Sequence, residues 1–208
     1  AADASSNGFT EVPLALDSGE EILSLSSSST NSPRFFAMTS KRLVFFTEYG
    51  KTAHFIPPPT DAKGTALSLL GAVMTAVSPT QAFFTAASAK RPSEAQLFVV
   101  SLKSSGSGPV WTSEHTLLDE EGLSKTVPNR LLIHDNYLYA ATGAKGVLRY
   151  PIISGPDAGL TLDIQSLSVF ASMQKGLRLP TNDTRTINFN GKGRAYVGTG
   201  CFGLYAQK

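Results

Sequence analysis

Three histidines, His54, His115 and His134, are the side chains best placed by type to move a proton near neutral pH or to hold a metal. They are spread along the chain, and none has a second histidine or a carboxylate at metal-ligand spacing, so no metal or other cofactor is expected. His134-Asp135 is the one adjacent pair in which a carboxylate could tune an imidazole; the alternative is a turn aspartate beside a half-buried ring. Paired acids at Glu20-Glu21 and Asp119-Glu120-Glu121 have the type for general acid–base work, but neighbouring carboxylates usually mark solvated loops. There is no Gly-x-Ser-x-Gly elbow, and Gly191-Lys192-Gly193 lies between strand-like segments rather than before a helix, which argues against a phosphate loop. Cys201, the only cysteine, excludes an internal disulfide and a cysteine metal cluster. In its glycine-rich run it reads as a small buried hydrophobe, with a reactive or partner-linking thiol as the alternative. This inventory favours binding over catalysis.

The elements that must position these groups belong to a chain of 208 residues, 41% hydrophobic and 16% charged, with a formal net charge of +2. That length supports a sizeable core, and charge well below the usual ~25% excludes disorder driven by charge excess. No dense basic stripe accompanies the sequence pI of about 8.7, so nucleic acid is not an expected partner. The longest apolar stretch, Gly64 to Val77, falls short of the roughly 20 residues that cross a bilayer. It reads as a short helix or a buried outer strand, or else as a hydrophobic docking segment through Leu69, Leu70, Val73 and Met74. The small, polar opening Ala1 to Gly8 and the sequon Asn182-Asp183-Thr184 point to a secreted protein or an organelle lumen.

An internal repeat organises the second half. Tyr139-Ala140-Ala141-Thr142-Gly143-Ala144-Lys145-Gly146-Val147-Leu148 aligns with Tyr196-Val197-Gly198-Thr199-Gly200-Cys201-Phe202-Gly203-Leu204-Tyr205, a constant offset of 57 residues. The shared pattern is a strand ending in Thr-Gly, a tight turn and a returning strand, hence a β-hairpin. A further strand precedes each hairpin, from Arg130 to His134 and from Arg185 to Phe189, with turns at Asp135-Asn136 and Asn190-Gly191. Two degenerate units fit the first half without the Thr-Gly hairpin: Arg34 to Met38 with Arg42 to Phe46, and Gln81 to Thr85 with Gln96 to Val100. Unit starts at Arg34, Gln81, Arg130 and Arg185 are spaced by 47, 49 and 55 residues, with Pro33, Pro79 and Pro128 near three of them. Leu160 to Ile164 and Leu167 to Phe170 supply outer strands.

This blade-scale spacing resembles the β-propeller repeat, with no named subfamily. The resemblance implies an all-β fold, a small propeller of four blades in a single domain. Its units run over about 30–75, 76–125, 126–180 and 181–208, with the strand Phe9 to Leu16 (9–16) closing the last blade. A β-sandwich, or part of a six- or seven-bladed ring, is the rival architecture. In a propeller the innermost strand of each blade lines the central channel, which would bring Arg34, Gln81, Arg130 and Arg185 into one ring, with His134 and Asp135 at its rim. Converging guanidiniums need an offsetting charge, so a phosphate, sulfate, carboxylate or acidic sugar is the ligand implied. Alternatively, one or two arginines turn outward or pair with acids such as Asp183.

The expected function is a non-enzymatic binding or scaffold module, meeting a protein partner or a small anionic or sugar ligand at the channel mouth and blade loops. A carbohydrate-binding, lectin-like protein is the second reading. Against it, the Tyr and Thr-Gly set recurs only in the third and fourth units, and most of Tyr137, Tyr139, Tyr150, Tyr196, Tyr205 and Trp111 should pack between blades. The third is a hydrolase or lactonase of propeller type that uses Arg130 or His134.

Overall fold

The computed structural model describes residues 12–29, 32–47, 50–104, 111–119, 126–155 and 159–208. Four small sheets stand in a ring as the blades of a propeller, and helix is almost absent. The first blade is the meander β1 (Ile22–Ser26), β2 (Phe35–Thr39), β3 (Leu43–Thr47) and β4 (Thr52–Ile56). The second is β5 (Met74–Ser78), β6 (Gln81–Ala87), β7 (Ala95–Ser104) and β8 (Trp111–Asp119). The third runs β9 (Pro128–His134), β10 (Tyr137–Thr142) and β11 (Gly146–Ser154). The long β11 pairs with β12 (Leu160–Leu162) along its end and with β13 (Ser168–Ser172) along its start; the short β14 (Leu177–Arg178) lies parallel to β13. The fourth has three strands, β15 (Thr184–Phe189), β16 (Ala195–Thr199) and β17 (Gly203–Ala206). The innermost strands follow one another around the axis, β1 against β5, β5 against β9 and β9 against β15.

Blades pack face to face, so a central strand is buried on both sides and reads as an unbroken apolar run rather than an alternating one. On β6, Phe84 enters the core shared with Phe36, Phe45 and Met74 of the first two blades. Its neighbour Phe83 points the opposite way, to Leu97, Leu138 and Tyr150 between the second and third blades. A third core, with Tyr139, Ile187 and Val197, joins the third blade to the fourth. Each such side chain taken from water contributes about 1.5–3 kcal/mol, which makes these three seams the main stabilisers of the ring.

The Thr-Gly repeat has one physical basis. Thr142 Oγ1 donates to the Gly146 carbonyl at 2.8 Å and accepts from the Lys145 N–H at 3.0 Å. Thr199 does the same with Gly203 at 3.1 Å and Phe202 at 3.1 Å. The last glycine of each motif, Gly146 or Gly203, sits at φ 78° or 88°, where a side chain is strained. Thr39 holds the corresponding place, its Oγ1 accepting from the Arg42 N–H at 3.0 Å and lying 3.0 Å from the Arg42 carbonyl, with its shorter contact, 2.6 Å, to the Glu20 carboxylate. The hairpin motif is therefore present in the first blade without its glycines.

This alignment corrects the register of the first half. Thr39 ends β2 as Thr142 ends β10, so the segments beginning at Arg34 and Gln81 are second strands, and the innermost strands are β1 and β5. The first two units thus begin one strand earlier than the spacing suggested, and Pro33 and Pro79 lie between the first and second strands of their blades. Gly64 to Val77 is neither helix nor outer strand; it ends in β5. Of its proposed docking residues, Leu69 and Met74 are buried in the first core and Val73 packs on the second, leaving only Leu70 exposed. Inter-blade space had to be filled, and this segment fills it.

The closing strand expected over Phe9 to Leu16 lies partly outside the described residues. From Val12 onward the chain is irregular, and Leu14 packs on Ala37, Val44 and Phe46 of the first blade. Among the described residues no strand pairs with the outer edge of β17.

Candidate ligand site in the central channel

A cavity of about 500 Å³ opens on the axis between β1, β5 and β9. Each of these strands has a sheet neighbour on one side only, so its other edge offers backbone N–H and C=O groups to the channel. The alternation of β5 shows this directly: Thr85 N–H bonds the Val73 carbonyl within the blade, whereas the Ala76 N–H points away and donates to Ser26 Oγ on β1 at 2.8 Å. Asn129 Nδ2 similarly reaches the Thr184 carbonyl of the fourth blade at 2.8 Å. Side chains on inner strands thus stitch each blade to the next around the cavity.

The walls are chemically unequal. On β1, Leu23 and Leu25 line the cavity, and Leu25 is 65% exposed. On β9, the wall carries Asn129 and Arg130, and among the described residues no acid pairs with Arg130. The site therefore offers an apolar strip, hydroxyls from Ser24 and Ser26, and the Arg130 guanidinium. Such a combination orients a small ligand by an anionic or hydrogen-bonding group while covering its apolar part.

The four residues expected to form a ring are not brought together. Arg34 precedes β2, and its guanidinium lies 5.0 Å from the Trp111 ring centroid, joining the first blade to the second. Gln81 is buried on β6, where it donates to Ser101 Oγ at 2.8 Å and accepts from the Leu160 N–H at 3.0 Å. Arg185 pairs with Asp183, Nε to Oδ1 at 2.9 Å, the outward pairing weighed against the ring. Only Arg130 faces the cavity. The reason is the strand register: Arg130 and Arg185 are on innermost strands, whereas Arg34 and Gln81 are one strand out.

His134 ends β9 at the hairpin Asp135-Asn136, whose φ values of 45° and 61° mark a tight two-residue turn. Its ring stacks on Phe189 of the fourth blade at 4.0 Å and 12°, with Asp135 Oδ2 3.2 Å from Nε2. The pair is a blade-to-blade contact at the rim and does not line the cavity. His115 donates its Nε2–H to the Pro57 carbonyl at 2.9 Å; burial lowers its pKa, partly countered by that bond. Burial likewise lowers His54. No group of three His, Cys, Asp or Glu able to hold a metal occurs among the described residues.

Two acidic clusters resolve differently from a solvated loop. Glu20 is buried and receives Thr39 Oγ1 at 2.6 Å and Arg42 through Nε at 2.9 Å and Nη2 at 2.8 Å. Asp119 is buried beneath the Tyr150 hydroxyl at 3.0 Å, while Glu120 and Glu121 lie outside the described residues. Cys201 is exposed in the β16–β17 turn, not buried. What sequence reasoning missed was β1 and its serines. The available signal was Ser24 and Ser26 two residues apart within Ile22–Ser26, which places both on one side of a strand. No family model matches this chain, and no curated protein matches it either.

Proposed function

We propose that this protein is a non-enzymatic binding module that takes a small anionic ligand in the channel between β1, β5 and β9. The supporting observation is the cavity itself. Its volume of about 500 Å³ lies within the range of roughly 300–1,000 Å³ typical of small-molecule sites. Its lining joins the apolar strip of Leu23 and Leu25 to Asn129 and to Arg130, with which no acid among the described residues pairs. Arg130 supplies charge and direction, the serine hydroxyls and free strand edges supply hydrogen bonds, and a scaffold role in a larger assembly is compatible with the same site.

The lectin reading has less support. Tyr139 and Tyr150 are buried, Tyr137 is covered by Arg149 at 4.7 Å from its ring, and Trp111 is covered by Arg34, so these rings offer no bare face to a pyranose. A secreted or luminal location belongs to the same proposal. It rests on the Asn182-Asp183-Thr184 sequon, and expression in a secretory host should then give a glycan at Asn182.

The test is a titration of the isotopically labelled chain with sulfate, citrate, glucuronate and glucose. Anions should shift the amides of Ser24, Ala76 and Asn129, and Arg130→Ala should weaken that response at least tenfold. Silence from every anion would dismiss the channel as a binding site, and turnover of a lactone that disappears in Arg130→Ala would make the protein an enzyme.

A further inference from the structure

Among the described residues, the fourth blade ends in an open strand edge. The register of β17 on β16 is unbroken, Tyr196 opposite Ala206 through Thr199 opposite Gly203. The Gln207 N–H bonds the Ala195 carbonyl and the Gly203 carbonyl receives Thr199 Oγ1, so Gly203, Tyr205 and Gln207 direct their backbone groups toward β16. By alternation, the N–H and C=O of Leu204 and Ala206 point outward, where no described strand meets them. Gly203–Ala206 is short but contains no proline, no charge and no bulge to blunt its edge. The side chains beside it are apolar, with Leu204 69% and Phe202 57% exposed.

Charge selects among the strands that could add here. Lys192, Arg194 and Lys208 gather at the Ala206 end of β17, because the Asn190–Arg194 turn folds back on Gln207 and Arg194 Nε bonds the Gln207 carbonyl. None of the three forms an ion pair with a described acid. On the neighbouring third blade, Asp135 is held against His134. A strand antiparallel to β17 starts at this cationic end.

We propose that the β17 edge binds an extended peptide segment of a partner protein as the fourth strand of the fourth blade. The segment is acidic at its N-terminal end and apolar at alternate positions, so that Lys192, Arg194 and Lys208 meet its carboxylates and Leu204 its apolar side chains. This site is separate from the channel and does not depend on it.

The probe is a short synthetic peptide with paired aspartates at its N-terminus followed by alternating valine and threonine, titrated into the full chain. A control peptide carries lysines in place of the aspartates. The acidic peptide should shift and slow the exchange of the Leu204 and Ala206 amides, and the lysine peptide should bind at least tenfold more weakly. Leu204→Pro, which removes the outward N–H together with the exposed apolar side chain and no hydrogen bond to β16, should abolish binding with the blade intact. If that variant fails to fold, Lys192→Glu with Lys208→Glu should reverse the preference between the two peptides. The proposal is overturned if the acidic peptide leaves those amides unchanged, if both peptides bind equally, or if the free chain already protects the two amides through its own segment or a second copy.

Discussion

Glu20 shows how one residue can be read wrongly from its neighbours and rightly from its contacts. Burial alone would push its carboxyl up, but the Thr39 hydroxyl, the Asp17 N–H and the Arg42 guanidinium together bring it down from 4.5 to about 2. Arg42 in turn lies over the Phe55 ring at 4.1 Å and bonds the Ala15 carbonyl, so this carboxylate anchors the N-terminal approach to the first blade. A depressed carboxyl stabilises the fold above its unfolded value and loses that contribution as pH falls toward the folded value. Urea denaturation across the acid range should therefore show Glu20→Gln less stable at neutral pH by about 1–2 kcal/mol. The two proteins should converge as pH drops from 4.5 to about 2. His115 acts in the same direction at higher pH. Burial holds it neutral, so the stability present above its ordinary value of 6.5 is lost as pH falls below that, and His115→Gln should flatten this part of the profile.

At the level of elements, the β10–β11 and β16–β17 hairpins share a motif but not its surroundings. A Cβ on Gly146 would overlap the Ala171 carbonyl oxygen of β13 and come within 3.0 Å of Ser172, in addition to the strain of its positive φ. Gly203 has the same strain and nothing within 4 Å of where a Cβ would stand. Gly146→Ala should cost about 2–4 kcal/mol and Gly203→Ala about 1 kcal/mol, read from denaturation midpoints of otherwise identical chains. Equal losses would mean that backbone conformation alone, not the packed neighbour, sets the penalty. The two blades are also latched together: Thr184 Oγ1 donates to the Thr142 carbonyl at 2.9 Å and accepts its N–H at 3.0 Å, both buried. Thr184→Val should accordingly destabilise the chain by about 1–3 kcal/mol, since it strands both buried partners.

For the whole molecule, stability is distributed over the seams between blades. Met74 belongs to the seam of the first two blades and is 6% exposed, whereas Leu70, four residues earlier, is 67% exposed. Met74→Glu should unfold the protein or lower its melting temperature steeply, while Leu70→Glu should leave it nearly unchanged, as circular dichroism melts would show. The sequence by itself determined the all-β class, the blade-scale repeat, the Thr-Gly hairpins and the turn at Asp135-Asn136, because strand pattern and turn chemistry are local. It also contained Thr39 and the Ser24/Ser26 pair, but a threonine without its glycine and a strand with exposed leucines carry too little local signal to fix the register of the first half. Tertiary structure decided that register, and with it the cavity. Whether a residue faces the channel depends on which strand is innermost, and that follows from how whole sheets pack around the axis. Arg130 lines the cavity while Arg34 stacks on Trp111 and Gln81 is buried, although all three were read as equivalent along the chain.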